Sequence, residues 1–357
     1  MDKINVLYLH GRPGPHPMHK KLANSIGVES VYIDQCIQWH DKNYSSFILI
    51  FIWLLNAFCF KNIKKYDVIL VDGLHFTPII MQKFKIINKK QKIFAHMGSH
   101  TLYFIYSQRF SKISCFIHKW ALKNYSAFFC EGNMAIELIN KIKPMNNIKL
   151  VKTFLGPSTS RQSLLNKSEI NFDTKSILFI GSAENKNRIF YKGLDLMIDG
   201  FLKFNISNEF RFIILGEIDK DFISKLNKTL SKEKFESLIF KGKINDVVPY
   251  IQSASLYLHC SRGDAFPTST IEAMSAGLPV ILSNWTGTKE IVELVDDRLI
   301  VENNIDLIAD KIDFYFKLSF NEKKLISNKF KMISHNYTEA KAIEHYKKSF
   351  EYIYNSF

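Results

Sequence analysis

The sequence predicts an α/β protein built from two doubly wound domains, and three observations support this. Short apolar runs alternate with longer amphipathic ones along the chain, the pattern of βαβ units with parallel sheets. Glycines follow the short runs as they do at strand-to-helix turns, with Gly11, Gly73, Gly98 and Gly132 in the first half and Gly181, Gly216 and Gly242 in the second. The length of 357 residues is about twice that of an ordinary domain.

In the first half the expected strands are residues 4–9, 30–33, 68–71, 92–95, 127–130 and 148–151. Residues 157–175 are rich in Ser, Asn and Lys and lack an apolar period, so they read as a linker. A second series follows, at 176–180, 210–215, 238–241, 256–259, 280–283 and 299–301. Between these lie expected helices at 193–204, 218–230, 245–253, 270–276 and 289–295. The tail 321–357 is helical by pattern, with Phe330, Ile333, Tyr337, Ala340, Ile343, Tyr346, Phe350 and Ile353 at three- and four-residue spacing and a break near His335-Asn336. Two facing sheets would offer one cleft beyond the carboxyl ends of their strands.

Composition sets the outer bounds. Apolar residues at 46% and charged residues at 23% describe a globular protein with a core. The five cysteines (Cys36, Cys59, Cys115, Cys130, Cys260) form no C-x-x-C pair and no metal-ligand spacing. The expectation is no disulfide framework and a reducing compartment. The segment Met1 to Leu9 is too short and too charged for a secretory signal, which fits a cytoplasmic location.

The net charge of +14 is concentrated in the first half: residues 1–160 hold 21 Lys and Arg against 8 Asp and Glu. Such asymmetry points to an anionic partner, nucleic acid or membrane, or to a merely solvated lysine-rich surface. No helix-turn-helix, zinc or RNA-recognition signature is present, so nucleic acid is the poorer fit. The segment 47–60 (FILIFIWLLNAFCF) has Asn56 as its one polar residue and falls short of the roughly 20 residues a membrane span needs. It reads as a buried core helix, the favoured reading, or as an interfacial helix. Lys61, Lys64 and Lys65 beside it suit an anionic bilayer.

The chemistry concentrates in Ser261-Arg-Gly-Asp264-Ala-Phe266-Pro267-Thr268-Ser269-Thr-Ile-Glu272-Ala-Met-Ser-Ala-Gly277-Leu-Pro279-Val. Asp264 falls on the loop after a strand and Glu272 in the first turn of the next helix. A loop entering a helix N-terminus offers free N–H groups and a positive dipole end, which suit a diphosphate. Two plainer readings stand beside this. Ser269 to Glu272 matches a capping box with Ser269 as N-cap, and Asp264 in Arg-Gly-Asp can be a turn-former.

The whole pattern resembles the family-four retaining glycosyltransferases of GT-B fold, whose second domain bears an E-x7-E signature. Asp264 to Glu272 has that spacing, and Thr286-Gly-Thr-Lys-Glu290-Ile is similar to the family's G-G-x-x-E-I. Phe240-Lys-Gly242-Lys-Ile244, Tyr250 to Ala254, Ile177 to Gly181 and Lys192-Gly193-Leu match the elements before it. The resemblance is strong over 176–300 and weak over the first half.

It implies a cytoplasmic enzyme, with a peripheral position on a membrane's inner face as a further expectation, that moves a sugar from a UDP- or GDP-linked donor to a glycan or lipid-linked acceptor. No cofactor and no metal are implied, and the reaction would proceed with retention. Asp264 would contact donor-sugar hydroxyls and Glu272 the ribose. Lys192, with Arg188 as second cation, would neutralise the diphosphate. Ile244 would lie against the base, and the backbone of Phe266, Pro267, Thr268 and Ser269 would approach sugar and diphosphate. In the first half Gly11 would lie near the diphosphate and His96, rather than His100, would touch the sugar. The implied domains are 1–160 on the acceptor side, 175–330 for the donor, and 331–357 as a helix returning to the first. Three positions depart from the family: Asp264 where Glu is usual, Pro267 where Gly is frequent, and Ser182 where many members have Arg. These departures sustain a second reading, a non-catalytic subunit of the same fold that binds a nucleotide sugar.

Overall fold

The computed structural model describes residues 4–11, 17–33, 46–60, 62–142 and 148–357. The chain divides into two compact units, residues 1–154 with 342–357 and residues 155–341.

The first unit holds a parallel six-stranded sheet. Its strands are β1 (Val6–His10), β2 (Glu29–Tyr32), β3 (Val68–Asp72), β4 (Lys92–Met97), β5 (Ala127–Glu131) and β6 (Lys149–Thr153), in the order β2-β1-β3-β4-β5-β6. The central strands are buried on both faces, which is why they read as continuous apolar runs rather than alternating ones. From Ala342 onward the last helix (Glu339–Asn355) belongs to this unit. Phe350 packs on Phe94 and Phe129, and Tyr346 on Phe129 and His96.

The apolar segment of this unit forms the helix Ser46–Cys59. The fully buried core helix does not hold. Among its described side chains Ile52, Asn56 and Ala57 are buried, whereas Ile48, Phe51 and Phe58 are exposed. Phe58 meets the exposed ring of Phe84 edge-on at 5.3 Å between centroids. A second helix, Lys112–Leu122, also presents apolar side chains outward, with Phe116 73% exposed beside exposed Ile113. Cys59 is disulfide-bonded, which departs from the expectation of no disulfide framework; sequence spacing does not reveal such pairings. Cys115, Cys130 and Cys260 are free.

The second unit holds β7 (Ser176–Ile180), β8 (Arg211–Leu215), β9 (Leu238–Gly242), β10 (Leu256–His259), β11 (Val280–Ser283) and β12 (Ile300–Val301). These form a second parallel sheet in the order β12-β11-β10-β7-β8-β9. The chain runs outward from β7 to β9, then returns to β10 on the other side of β7. The β7–β10 junction is therefore the topological switch point, where open α/β sheets bind ligands. All twelve expected strands lie within two residues of their expected bounds.

The stretch read as linker departs from expectation, because it contains the helix Thr159–Asn166. Its apolar content is too slight to show a period: Gln162 and Leu165 are its buried residues. The tail helices run Phe320–Ser334 and Glu339–Asn355, with the expected break between them.

Candidate active site

Asp264 lies just beyond β10 and Lys192 ends the helix (Lys186–Lys192) that follows β7, so both stand over the switch point. Their charged groups meet, with Lys192 Nζ 2.5 Å from Asp264 Oδ2 and both side chains 14% exposed. His259 Nε2 lies 3.1 Å from the same oxygen. Among the described residues no donor reaches Asp264 Oδ1. Burial would raise the Asp264 carboxyl, but Lys192 and His259 overcome that and hold it well below the usual range. His259 is itself pushed down by burial, which keeps its ring neutral.

Two glycines fix this geometry. A Cβ on Gly193, where φ is +68°, would lie 1.9 Å from the Cys260 carbonyl oxygen. One on Gly287 would lie 1.7 Å from the Ala265 carbonyl oxygen. The Gly287 N–H donates to the Asp264 carbonyl at 2.8 Å. The K-G and T-G-T stretches of the sequence are thus steric requirements for closing two loops onto Asp264. Tyr191 Oη donates to the Gly263 carbonyl at 2.8 Å, and Arg262 grips Asp195 through two bonds of 2.7 and 2.8 Å. Ser261, Ser283 and Thr286 link their hydroxyls beneath the loop.

The helix bearing Glu272 spans Thr268–Ala276, with Pro267 as its N-cap and no side-chain cap. The expected capping box is absent, and Ser269 is not the N-cap. Its Oγ donates to the Ile180 carbonyl and accepts from Tyr257 Oη, so it is committed to the sheet instead. The capping box of this unit lies at Ser319 and Glu322. Glu272 is free of any capping duty. Its side chain is 7% exposed and its carboxylate accepts from Arg161 Nη1 at 2.7 Å. Burial pushes this carboxyl up from its usual range, and Arg161 offsets that only in part.

Of the other sequence-predicted residues here, Phe266 and Pro267 are buried and Thr268 and Ser269 are half-buried at the helix start. Ile244 is half-buried in the loop after β9. Arg188 reaches back from its helix, with Nη2 3.5 Å from the Ser182 carbonyl and Nε 3.8 Å from Glu184. It therefore returns toward the position at which the family pattern has its arginine.

In the first unit Gly11 is buried directly after β1. His96, in β4, is 2% exposed and hydrogen-bonded through Nε2 to Glu131 Oε1 at 3.0 Å. The same Glu131 oxygen is 2.8 Å from Nε2 of His19, whose Nδ1 meets Asp72 at 2.9 Å. Asp72, His96 and Glu131 stand at the carboxyl ends of adjacent strands β3, β4 and β5. Burial alone would lower the His19 pKa, but Glu131 and Asp72 raise it to about 10. Asp72, raised by burial, is drawn down by His19 to about 2, and Glu131 is held lower still by the two imidazoles. Burial and the His19 charge keep His96 neutral. Ionised Glu131 can only accept, so His96 keeps its proton on Nε2 and presents Nδ1 as an acceptor. His19, His96 and Glu131 have ligand atoms within 4.8 Å of one another, a composition able to hold a metal ion.

Sequence reasoning missed Arg161, His259 and His19. His259 ends a strand it did identify, and strand ends were the available signal. Arg161 lies in the stretch taken for linker, and nothing in the sequence pairs His19 with two distant carboxylates.

Comparison with known proteins follows the same division. Residues 160–332 match the family model "Glycosyl transferases group 1". An uncharacterized glycosyltransferase of Haemophilus influenzae is 29% identical over 194 residues, covering 52% of each chain. The chain spans about half the length of the curated relatives it matches. The crystal structure of Anabaena HepE in complex with UDP and glucose superposes with a TM-score of 0.70 at 14% identity, covering 99% of this chain and 100% of that one. Sucrose-phosphate synthase of Thermosynechococcus elongatus superposes with a TM-score of 0.72 at 12% identity, covering 99% and 100%. At such identities the likeness establishes the fold, which is of the GT-B class.

Proposed function

We propose, for a chain whose residues 160–332 belong to the glycosyl transferases group 1 family, that it moves a sugar from a nucleoside diphosphate to a hydroxyl of a glycan or lipid-linked acceptor, with retention and without a metal ion. The observation that carries this reading is the pair of deeply set carboxylates Asp264 and Glu272, each held by a cation rather than by a structural cap. Asp264 offers Oδ1 to the hydroxyls of the donor sugar. Glu272 takes the ribose hydroxyls, and Ile244 lies against the base.

In the reaction the bond from anomeric carbon to diphosphate breaks and the bond to the acceptor oxygen forms. The acceptor proton leaves to the departing diphosphate or to water. Negative charge grows on the diphosphate, and in this reading Lys192 and Arg188 stabilise it. The N–H groups that open the Thr268–Ala276 helix add to this. His96 contributes its Nδ1 as acceptor for a sugar hydroxyl. UDP and UDP-glucose bound to Anabaena HepE support a nucleotide sugar as donor, with UDP the first base to test.

The basic first unit and the outward apolar side chains Phe51, Phe58 and Phe116 support contact with an anionic membrane surface, where a lipid-linked acceptor would lie. Among the described residues no helix is long and apolar enough to cross a membrane.

The test is release of nucleoside diphosphate from UDP- and GDP-sugars by the purified chain in EDTA. Asp264→Asn and Glu272→Gln are each expected to lower turnover at least tenfold, about 1.4 kcal/mol. Near-wild-type turnover in both variants would contradict the assignment.

A further inference from the structure

Arg161 adds a feature that the donor-site reading does not itself require. Its guanidinium spans two points of the second unit, with Nη1 2.7 Å from Glu272 Oε1 and Nη2 3.3 Å from the carbonyl oxygen of Asn245. Those are the carboxylate assigned to the ribose and the residue next to Ile244, assigned to the base. The backbone behind Arg161 is anchored. Gln162 Nε2 donates to Ser275 Oγ at 3.4 Å and to the Ser334 carbonyl at 3.5 Å. Ser275 lies one turn beyond Glu272 on the same helix, so the register of the two helices is set. The guanidinium end is less confined, with the side chain 37% exposed against 7% for Glu272.

An arginine–carboxylate hydrogen bond is charge-assisted and stronger than one from a neutral hydroxyl. Arg161 fills one acceptor site of Glu272 Oε1 and competes with ribose hydroxyls for that carboxylate. Among the described residues Arg161 is the one hydrogen-bond donor to this buried carboxylate. A buried charge without a partner is costly, so the empty site needs such a stand-in.

Resting on the donor-site reading, we infer that Arg161 is a placeholder for the nucleoside: it holds Glu272 in the empty site and is displaced when the ribose diol binds. Binding then exchanges one set of hydrogen bonds for another. Affinity is discounted by the strength of the Arg161–Glu272 bond, and a ligand lacking the full diol pays the same cost for a poorer replacement.

The experiment is calorimetric titration of UDP and 2′-deoxy-UDP into wild-type protein, Arg161→Gln and Arg161→Lys. Arg161→Gln is expected to bind UDP three- to tenfold more tightly than wild type, with a similar gain for 2′-deoxy-UDP and Arg161→Lys in between. Equal or weaker UDP binding by Arg161→Gln, with a far-UV spectrum like that of wild type, would overturn the inference. Should Arg161→Gln fail to fold, Arg161→Lys decides alone, since a lysine lacks the fork geometry and must bind UDP more tightly than wild type. Wild-type protein that binds no nucleoside diphosphate would instead remove the donor-site reading beneath it.

Discussion

Lys192 and Asp264 meet at 2.5 Å above the junction of β7 and β10, where the second sheet reverses its strand order. Each is 14% exposed, so neither charge is fully solvated. Removing one partner strands the other. Lys192→Met is expected to destabilise the protein by about 3 kcal/mol, the low end for a broken buried pair, because His259 still faces Asp264. Urea unfolding of Lys192→Met and of Lys192→Met/Asp264→Asn checks this, with the double variant losing less than the single one.

The same pair sets a pH dependence. The folded-state pKa of Asp264 lies below its unfolded value of about 3.9. Its contribution is therefore complete above that unfolded value and disappears as pH falls through the folded one. Wild type should lose more stability than Asp264→Asn between about pH 5 and 2, measured by urea midpoints at each pH.

Glu272 has the opposite sign. Burial raises its folded pKa, so its ionised form weighs against folding at neutral pH. Glu272→Gln is expected to leave the melting temperature unchanged or raise it by about 2–4 °C while removing function, the pattern of a site kept at some cost to stability. Differential scanning calorimetry decides. A clear fall in melting temperature would make the Arg161–Glu272 bond a structural brace instead.

His19 holds together the carboxyl end of the first sheet. It is the shared counter-charge of Asp72 and Glu131, which would repel each other without it. His19→Ala is expected to cost about 3–5 kcal/mol. Because His19 stays protonated to about pH 10, it should add no inflection to an activity profile between pH 6 and 8. Thermal unfolding of the variant and a pH–rate profile of wild type check the two parts.

Phe51 and Phe116 are exposed on helices of the basic unit. Replacing both with Ser should leave stability within about 0.5 kcal/mol, as for most surface changes. The double variant should lose at least tenfold in binding to anionic vesicles, since inserting one Phe is worth up to about 1.5–3 kcal/mol. Flotation with vesicles rich in anionic lipid, against neutral vesicles as control, measures it.

The fold was legible because parallel strands buried on both faces leave unbroken apolar runs, and all twelve were found. The motif from Asp264 to Glu272 was legible because its glycines and carboxylates obey steric and spacing requirements that local sequence displays. What escaped depends on distant partners. Arg161 meets a residue 111 positions away from within a helix too polar to show a period. The competing capping box at Ser269 fit the sequence equally well, and Pro267 displaced it by taking the N-cap position itself.

The most direct test of the donor site is calorimetric titration of UDP and GDP, in EDTA, into wild type and Glu272→Gln. The account predicts saturable one-to-one binding of one of the two nucleotides by wild type and at least tenfold weaker binding by Glu272→Gln. No binding of either nucleotide by wild type, or equal affinity in the variant, would contradict it.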